Sequence, residues 1–181
     1  MTASGDPLVE PDRLIVEAAT GARELSPDEL RRVLEHVAGA GFHPAANAPA
    51  GGRLAGLVWQ GRVLRGSDRL TAAEVHYLRH TVAQQEWPPG TTLDDYLTSV
   101  REVILDPTSG ALTSRLSGQF WQLALVRRSG ALRGPEGYEW LMVEYRVELG
   151  HWTTAFQLRD GLPAVTANPE RQRQRWLRHP S

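Results

Sequence analysis

The sequence predicts an α+β fold in which N-terminal helices pack on a C-terminal antiparallel sheet. Three observations predict it. Capped amphipathic segments fall before Asp106-Pro107, the apolar period changes from helical to alternating after that dipeptide, and two consecutive alternating runs, 139–149 and 151–158, agree on which face is apolar.

Residues 1–25 read as a loosely ordered lead-in with at most a short element over 14–19. Ser26-Pro27-Asp28-Glu29 then starts a helix: Ser26 caps, Pro27 suits the first helical position and Glu29 completes a capping box. Leu30, Val33, Leu34 and Val37 give it an apolar stripe, and Gly39 and Gly41 end it. The stretch 43–52, rich in Ala, Pro, Asn and Gly, reads as a linker. It divides the chain into an N-terminal piece over 1–52 and a main domain over 53–181 with a basic C-terminal tail. Residues 54–59 and 62–65 flank Gln60-Gly61 as a short hairpin or irregular extended segment.

Thr71 and Glu74 form a second capping box, opening a helix to about Gln85 with Val75, Leu78 and Val82 facing inward. Pro88-Pro89-Gly90 stops it. Thr92 caps a third helix carrying Leu93, Tyr96, Leu97, Val100, Val103 and Ile104, which ends at Asp106-Pro107 because a residue before proline is pushed out of the helical region. Residues 119–128 read as a strand and 129–137 as a Gly/Pro-rich loop. In the final hairpin, a turn at Leu149-Gly150 would set Val147 opposite Trp152, Tyr145 opposite Thr154, Val143 opposite Phe156 and Leu141 opposite Leu158.

Composition excludes several classes of function. A chain of 181 residues with 41% hydrophobic and 23% charged residues is that of an ordinary globular protein of one domain or one domain with an appendage. Cysteine is absent, which removes disulfides, a thiol nucleophile and cysteine-ligated zinc. All 20 basic residues are arginine, so a lysine base, a Schiff base and a P-loop lysine are excluded as well. No GxGxxG, Walker A, HExxH, GxSxG or EF-hand loop occurs. No signal peptide or apolar run of membrane-spanning length is found, so a soluble, cytoplasmic protein is expected, with no membrane partner and no cofactor. The net charge is −1, against strong non-specific binding to nucleic acid. It is unevenly spread, −3 over residues 1–59 and +2 over 60–181, and Arg115, Arg127, Arg128 and Arg133 lie in an acid-free stretch from Thr108 to Pro135.

The residues able to carry chemistry are few. His76 and His80 sit four apart on one face of the second helix, beside its apolar stripe, where imidazole suits proton transfer near neutral pH. Two half-exposed histidines without a catalytic task fit the same spacing. It also suits zinc, but Tyr77 stands where a metalloprotease has its glutamate, and a third ligand such as His151 lies far off in sequence. Arg79 and Arg146 can hold a phosphate by bidentate hydrogen bonds, or pair with a carboxylate such as Glu144 or Glu148. Arg127, Arg128 and His151 are further candidates to bind a substrate. Thr153 and Thr154 are ordinary strand residues by propensity, and a hydroxyl beside an arginine can also orient a phosphate. Trp121, Trp140 and Trp152 are able to stack on bases, although its face places Trp152 in the core.

Arg79-His80, then Val103-Ile104-Leu105-Asp106-Pro107, then His151-Trp152-Thr153-Thr154-Ala155-Phe156 follow one another in that order. The order resembles the BECR-type ribonuclease domains, the broad group joining barnase, EndoU, colicin-type tRNases and RelE-like toxins. Members in phage and polymorphic toxins show an Arg-His pair, a later I-x-D-P and a closing T-A-Tyr/Phe strand. The likeness covers roughly residues 68–158. It implies a toxin-like, metal-independent endoribonuclease that uses the RNA 2′-hydroxyl as nucleophile. His80 or His76 would be general acid or base, and Arg146 with Thr154 or Thr153 would hold the phosphate. RNA (tRNA or mRNA) is the partner it implies, and a protein partner or inhibitor is the other candidate. The alternative is a non-catalytic α+β module, of phage or mobile-element type, that binds a protein or nucleic acid.

Overall fold

The computed structural model describes residues 8–44 and 48–181. Helices α1 (Glu10–Thr20) and α2 (Pro27–Ala40) come first. They are followed by two small ribbons, β1 (Ala48–Pro49) with β4 (Arg69–Leu70), and β2 (Val58–Trp59) with β3 (Arg62–Val63). Helix α3 (Ala72–Tyr77) runs into a π-helical segment, Leu78–Ala83, and α4 (Leu93–Leu105) follows. Strands β5 (Gly110–Leu116), β6 (Phe120–Arg128), β7 (Trp140–Arg146) and β8 (His151–Leu158), the short α5 (Pro163–Thr166) and β9 (Arg171–Arg178) complete the chain. The five long strands form one antiparallel sheet in the order β8-β7-β6-β5-β9. The α+β class is as the sequence predicts.

Three capping boxes stand where the sequence places them: Ser26 with Glu29, Thr71 with Glu74, and Thr92 with Asp95, whose hydroxyl and carboxylate satisfy each other's end of the first turn. The lead-in is more ordered than expected. Helix α1 runs over eleven residues and ends on Gly21, whose φ of 78° closes the last turn in the left-handed region that suits glycine. The basic tail is likewise a strand. Residues Arg171–Arg178 pair with β5, and β5 itself carried no strand expectation.

The sheet buries both faces. Leu123, Leu125, Leu141, Val143, Tyr145 and Ala155 meet the helices, including Leu14, Ile15, Val33, Val37, Val100 and Ile104, in a single cluster. Residues on both sides of the 43–52 stretch belong to it; positions 45–47 lie outside the described residues. On the other face Leu112, Ala124, Val126, Met142, Leu158 and Val165 form a second, smaller core. A polar tie joins α1 and α2 to the sheet: the buried Tyr145 hydroxyl donates to Asp12 Oδ1 at 2.7 Å and lies 3.1 Å from His36 Nε2. Among the described residues no helix is long and apolar enough to cross a membrane.

The final hairpin departs from its expected register. Leu141, Val143, Tyr145 and Val147 do share a buried face, but Glu144 pairs with Thr154 and Tyr145 with Trp152. Thr153 is therefore the extra residue of a β-bulge, and Val147–Gly150 forms the connection. The bulge keeps Trp152 with the helix-side core, while Leu158 joins the second core and Phe156 packs against it. The connection is two residues longer than the expected turn, which moves Tyr145 from Thr154 to Trp152, and the inserted Thr153 takes back one, so that Val143 meets Ala155 rather than Phe156.

Candidate active site

Strand β8 is a sheet edge, and its backbone is closed by helix-side groups rather than by another strand. Trp152 N donates to Gly41 O at 2.8 Å, the Tyr96 hydroxyl donates to Ala155 O at 2.9 Å, and Gln157 N donates to Glu86 Oε2 at 2.8 Å. The last of these contacts builds the site.

Glu86 is 4% exposed. Its Oε1 lies 3.2 Å from His80 Nδ1, and its backbone N–H donates to His80 O at 2.9 Å. The loop after β6 locks this turn from outside. Gly134 N donates to Glu86 O at 2.9 Å, and a Cβ on Gly134 would stand 2.3 Å from Gln85 O and 2.4 Å from the Glu86 carbonyl carbon, so only glycine fits. Gln85 is itself in the left-handed region, with φ 51°.

The π-helical segment changes which side chains face inward. An i to i+5 bond from Gln84 N to Arg79 O (3.0 Å) widens the turn, so His80 and Thr81 are both buried and Val82 is exposed. Two expectations need correction here. Val82 is not part of the inward stripe, and of the two histidines His80 is buried, only 7% exposed, while His76 is partly buried. Nothing in 78–83 marks a π turn, because neither proline nor glycine interrupts the segment.

His76 and His80 lie in a column of rings. Phe42 stacks on His76 at 4.9 Å between centroids, His76 on His80 at 5.9 Å, and His80 on Phe156 at 5.4 Å. Burial, with the neighbouring His80 and Arg79 adding to it, holds the His76 imidazole down to about 4, so it is neutral at pH 7. Its Nδ1 is 3.5 Å from Thr154 Oγ1, at the limit of a hydrogen bond.

His80, Thr154, Glu86 and Arg79 line one cleft of about 680 Å³, together with Arg53 and Arg159. Glu136 and Asp160 also line it, so the cleft carries charge of both signs. Tyr138, in the same wall, accepts from Arg159 Nε through its hydroxyl at 3.2 Å.

The other candidates lie elsewhere. Arg146 pairs with His151 at the turn end of the hairpin, and its guanidinium sits 4.6 Å from the Phe120 ring, toward β6 and away from the β8 edge. The His151 ring meets His43 edge-on at 4.9 Å. Thr153 Oγ1 donates to Glu144 O at 3.4 Å across the bulge. Arg127 Nη1 donates to Asp106 Oδ2 at 2.5 Å, and Arg128 lies over Trp140 and pairs with Glu139. Asp106 also accepts the Thr108 N–H at 2.7 Å and its hydroxyl at 2.6 Å, and these bonds with Arg127 hold its carboxyl down to about 2. The Asp106-Pro107 signature is thus a structural clamp between α4 and β6. Among the described residues no group of three His, Cys, Asp or Glu side chains is placed to hold a metal ion.

Sequence reading missed Glu86. It is the residue after a helix and before Trp87-Pro88-Pro89, where a carboxylate looks like any solvated end. Its role appears only when β8 brings Gln157 to it, 71 residues later. No protein-family model, no curated protein and no solved structure matches the chain.

Proposed function

We propose that the chain is a BECR-like endoribonuclease that cuts RNA without a metal in the cleft lined by His80. The observation that carries this reading is the His80–Glu86 pair on a cleft wall shared with Arg79 and Thr154. Glu86 accepts the Nδ1 proton, which fixes the tautomer and leaves Nε2 to exchange protons with a substrate. In the reaction a base removes the ribose 2′-O–H proton and the oxygen attacks phosphorus. The P–O5′ bond breaks, and an acid protonates the leaving oxygen. The products are a 2′,3′-cyclic phosphate and a 5′-hydroxyl. His80 takes the 2′-hydroxyl proton as general base, solvent water protonates the leaving oxygen on the far side of phosphorus, and Arg79 meets the charge growing on the non-bridging oxygens. Thr154 offers its hydroxyl to a phosphate oxygen, and the neutral His76 orients that hydroxyl. Arg146, Thr153, Arg127 and Arg128 have no part in this arrangement.

The test is incubation of the purified protein with total RNA in EDTA beside His80→Ala. Cleavage by the parent alone is expected. Intact RNA, or equal cleavage by both, contradicts the reading.

A second reading is a non-catalytic module that keeps the fold and binds a partner. One observation favours it: His80 is nearly enclosed between two rings, and Glu86 has a structural task at the β8 edge. On that reading Glu86→Gln and His80→Gln alter stability alone.

A further inference from the structure

A second cavity, of about 470 Å³, opens beside the Leu78–Ala83 segment. That volume is within the usual range for a small-molecule site. Its walls include Trp59, Tyr77, Trp87 and Pro88, and among the described residues no charged side chain lines it. The Trp59 and Tyr77 rings lie 5.3 Å apart at 50°, and Trp87, 1% exposed, is fixed by its Nε1 donating to Ser99 Oγ at 3.1 Å. The aromatic walls are therefore held in place before anything enters.

Most polar groups of this pocket are already engaged. The Tyr77 hydroxyl donates to Thr91 O at 2.9 Å, and the Thr91 hydroxyl donates to Pro88 O at 2.7 Å. Thr81 differs. It is 8% exposed, it lines the pocket, and its Oγ1 has no hydrogen-bond partner. A buried hydroxyl without a partner is costly, and a ligand with a donor or acceptor edge would satisfy it.

Position decides which ligand. Gln85 lines both this pocket and the charged cleft. His80 and Thr81 are consecutive, and the widened π turn gives His80 to the cleft and Thr81 to the aromatic pocket. One site with arginines and imidazole thus adjoins another with flat apolar walls and one polar handle. A nucleotide has that division between phosphate and base.

We infer that the aromatic pocket receives an unpaired nucleobase of the RNA whose phosphate lies in the His80 cleft, so that the substrate class is single-stranded RNA. The inference rests on the ribonuclease reading and deepens it. A base in a duplex is stacked and paired and cannot enter, whereas a single strand splays its bases onto aromatic side chains.

The experiment measures binding apart from cleavage. Full-length His80→Ala is titrated into a 5′-labelled RNA pentanucleotide and followed by fluorescence anisotropy. The same RNA in a duplex and a proline-rich peptide are measured alongside. Trp59→Ala and Thr81→Val are introduced into the same background, with far-UV circular dichroism to check folding. The expected result is single-strand binding weakened about tenfold or more by Trp59→Ala, a smaller loss with Thr81→Val, and weaker binding of the duplex. Equal binding by the folded variants, duplex binding as tight as single strand, or binding of the peptide in place of RNA overturns the inference. The two readings separate cleanly. Trp59-dependent RNA binding by a parent that never cleaves RNA sinks the nuclease and leaves the pocket. Cleavage with an unchanged KM in Trp59→Ala sinks the pocket and leaves the nuclease.

Discussion

Glu86 joins two parts of the fold through one carboxylate, with Oε1 3.2 Å from His80 Nδ1 and Oε2 accepting Gln157 N at 2.8 Å. The group that orients the imidazole is the group that closes the sheet edge. Removing it strands a buried N–H on each side, so Glu86→Ala is expected to lower the unfolding free energy by about 2–4 kcal/mol. Glu86→Gln keeps an acceptor for Gln157 and is expected to cost less than half of that, while cleavage still falls roughly 10- to 100-fold. Urea unfolding and initial cleavage rates of the two variants separate the structural share from the catalytic one.

The depressed His76 gives the fold a pH dependence with a definite sign. Its imidazole titrates near 4 in the folded chain against 6.5 when unperturbed, so between those values the unfolded state binds more protons. Stability from this group is full above 6.5, falls with falling pH, and levels off below 4, by about 3 kcal/mol in all. In His76→Phe, whose ring keeps the stack between Phe42 and His80, the slope between pH 6.5 and 4 should flatten. Urea midpoints at closely spaced pH values read this directly.

Gly134 is expected to be intolerant of any side chain. A methyl group there meets the backbone of Gln85 and Glu86 rather than a movable side chain. Gly134→Ala should therefore cost about 2 kcal/mol or more, and should shift the amide resonances of residues 84–86. A mutant as stable as the parent would contradict the packing described.

Arg127 and Asp106 make a prediction in the opposite direction for function. Arg127 is half-buried and bonded to a carboxyl held down to about 2. That carboxyl contributes stability above its ordinary 3.8, and the contribution is lost as pH falls through 2. Arg127→Ala should cost about 1–2 kcal/mol at pH 7, move the acid unfolding midpoint upward, and leave RNA cleavage unchanged. Loss of cleavage in a folded Arg127→Ala would return that arginine to the substrate.

Much of this arrangement was legible in the sequence, for local reasons. Capping boxes at Ser26, Thr71 and Thr92 are short-range hydrogen-bond patterns, and each starts its helix as read. Thr71 and its helix placed His76 and His80 on one element, and the closing strand brought Thr154 to them. What escaped has no such short-range signature. The Thr153 bulge, the π turn at 78–83 and the pairing of 171–178 with β5 leave no periodic signal. Strand β6 is buried on both faces, so its apolar run names no side. Arg146 looked equivalent to Arg79, and the sheet draws its guanidinium toward Phe120.

The most direct measurement is the end group left on RNA fragments made by the full chain in EDTA. Fragments ending in a 2′,3′-cyclic phosphate, formed by the parent and reduced at least about a hundredfold in His80→Gln, are the predicted result. Fragments with 3′-hydroxyl ends, or cyclic ends made equally well without His80, would contradict it.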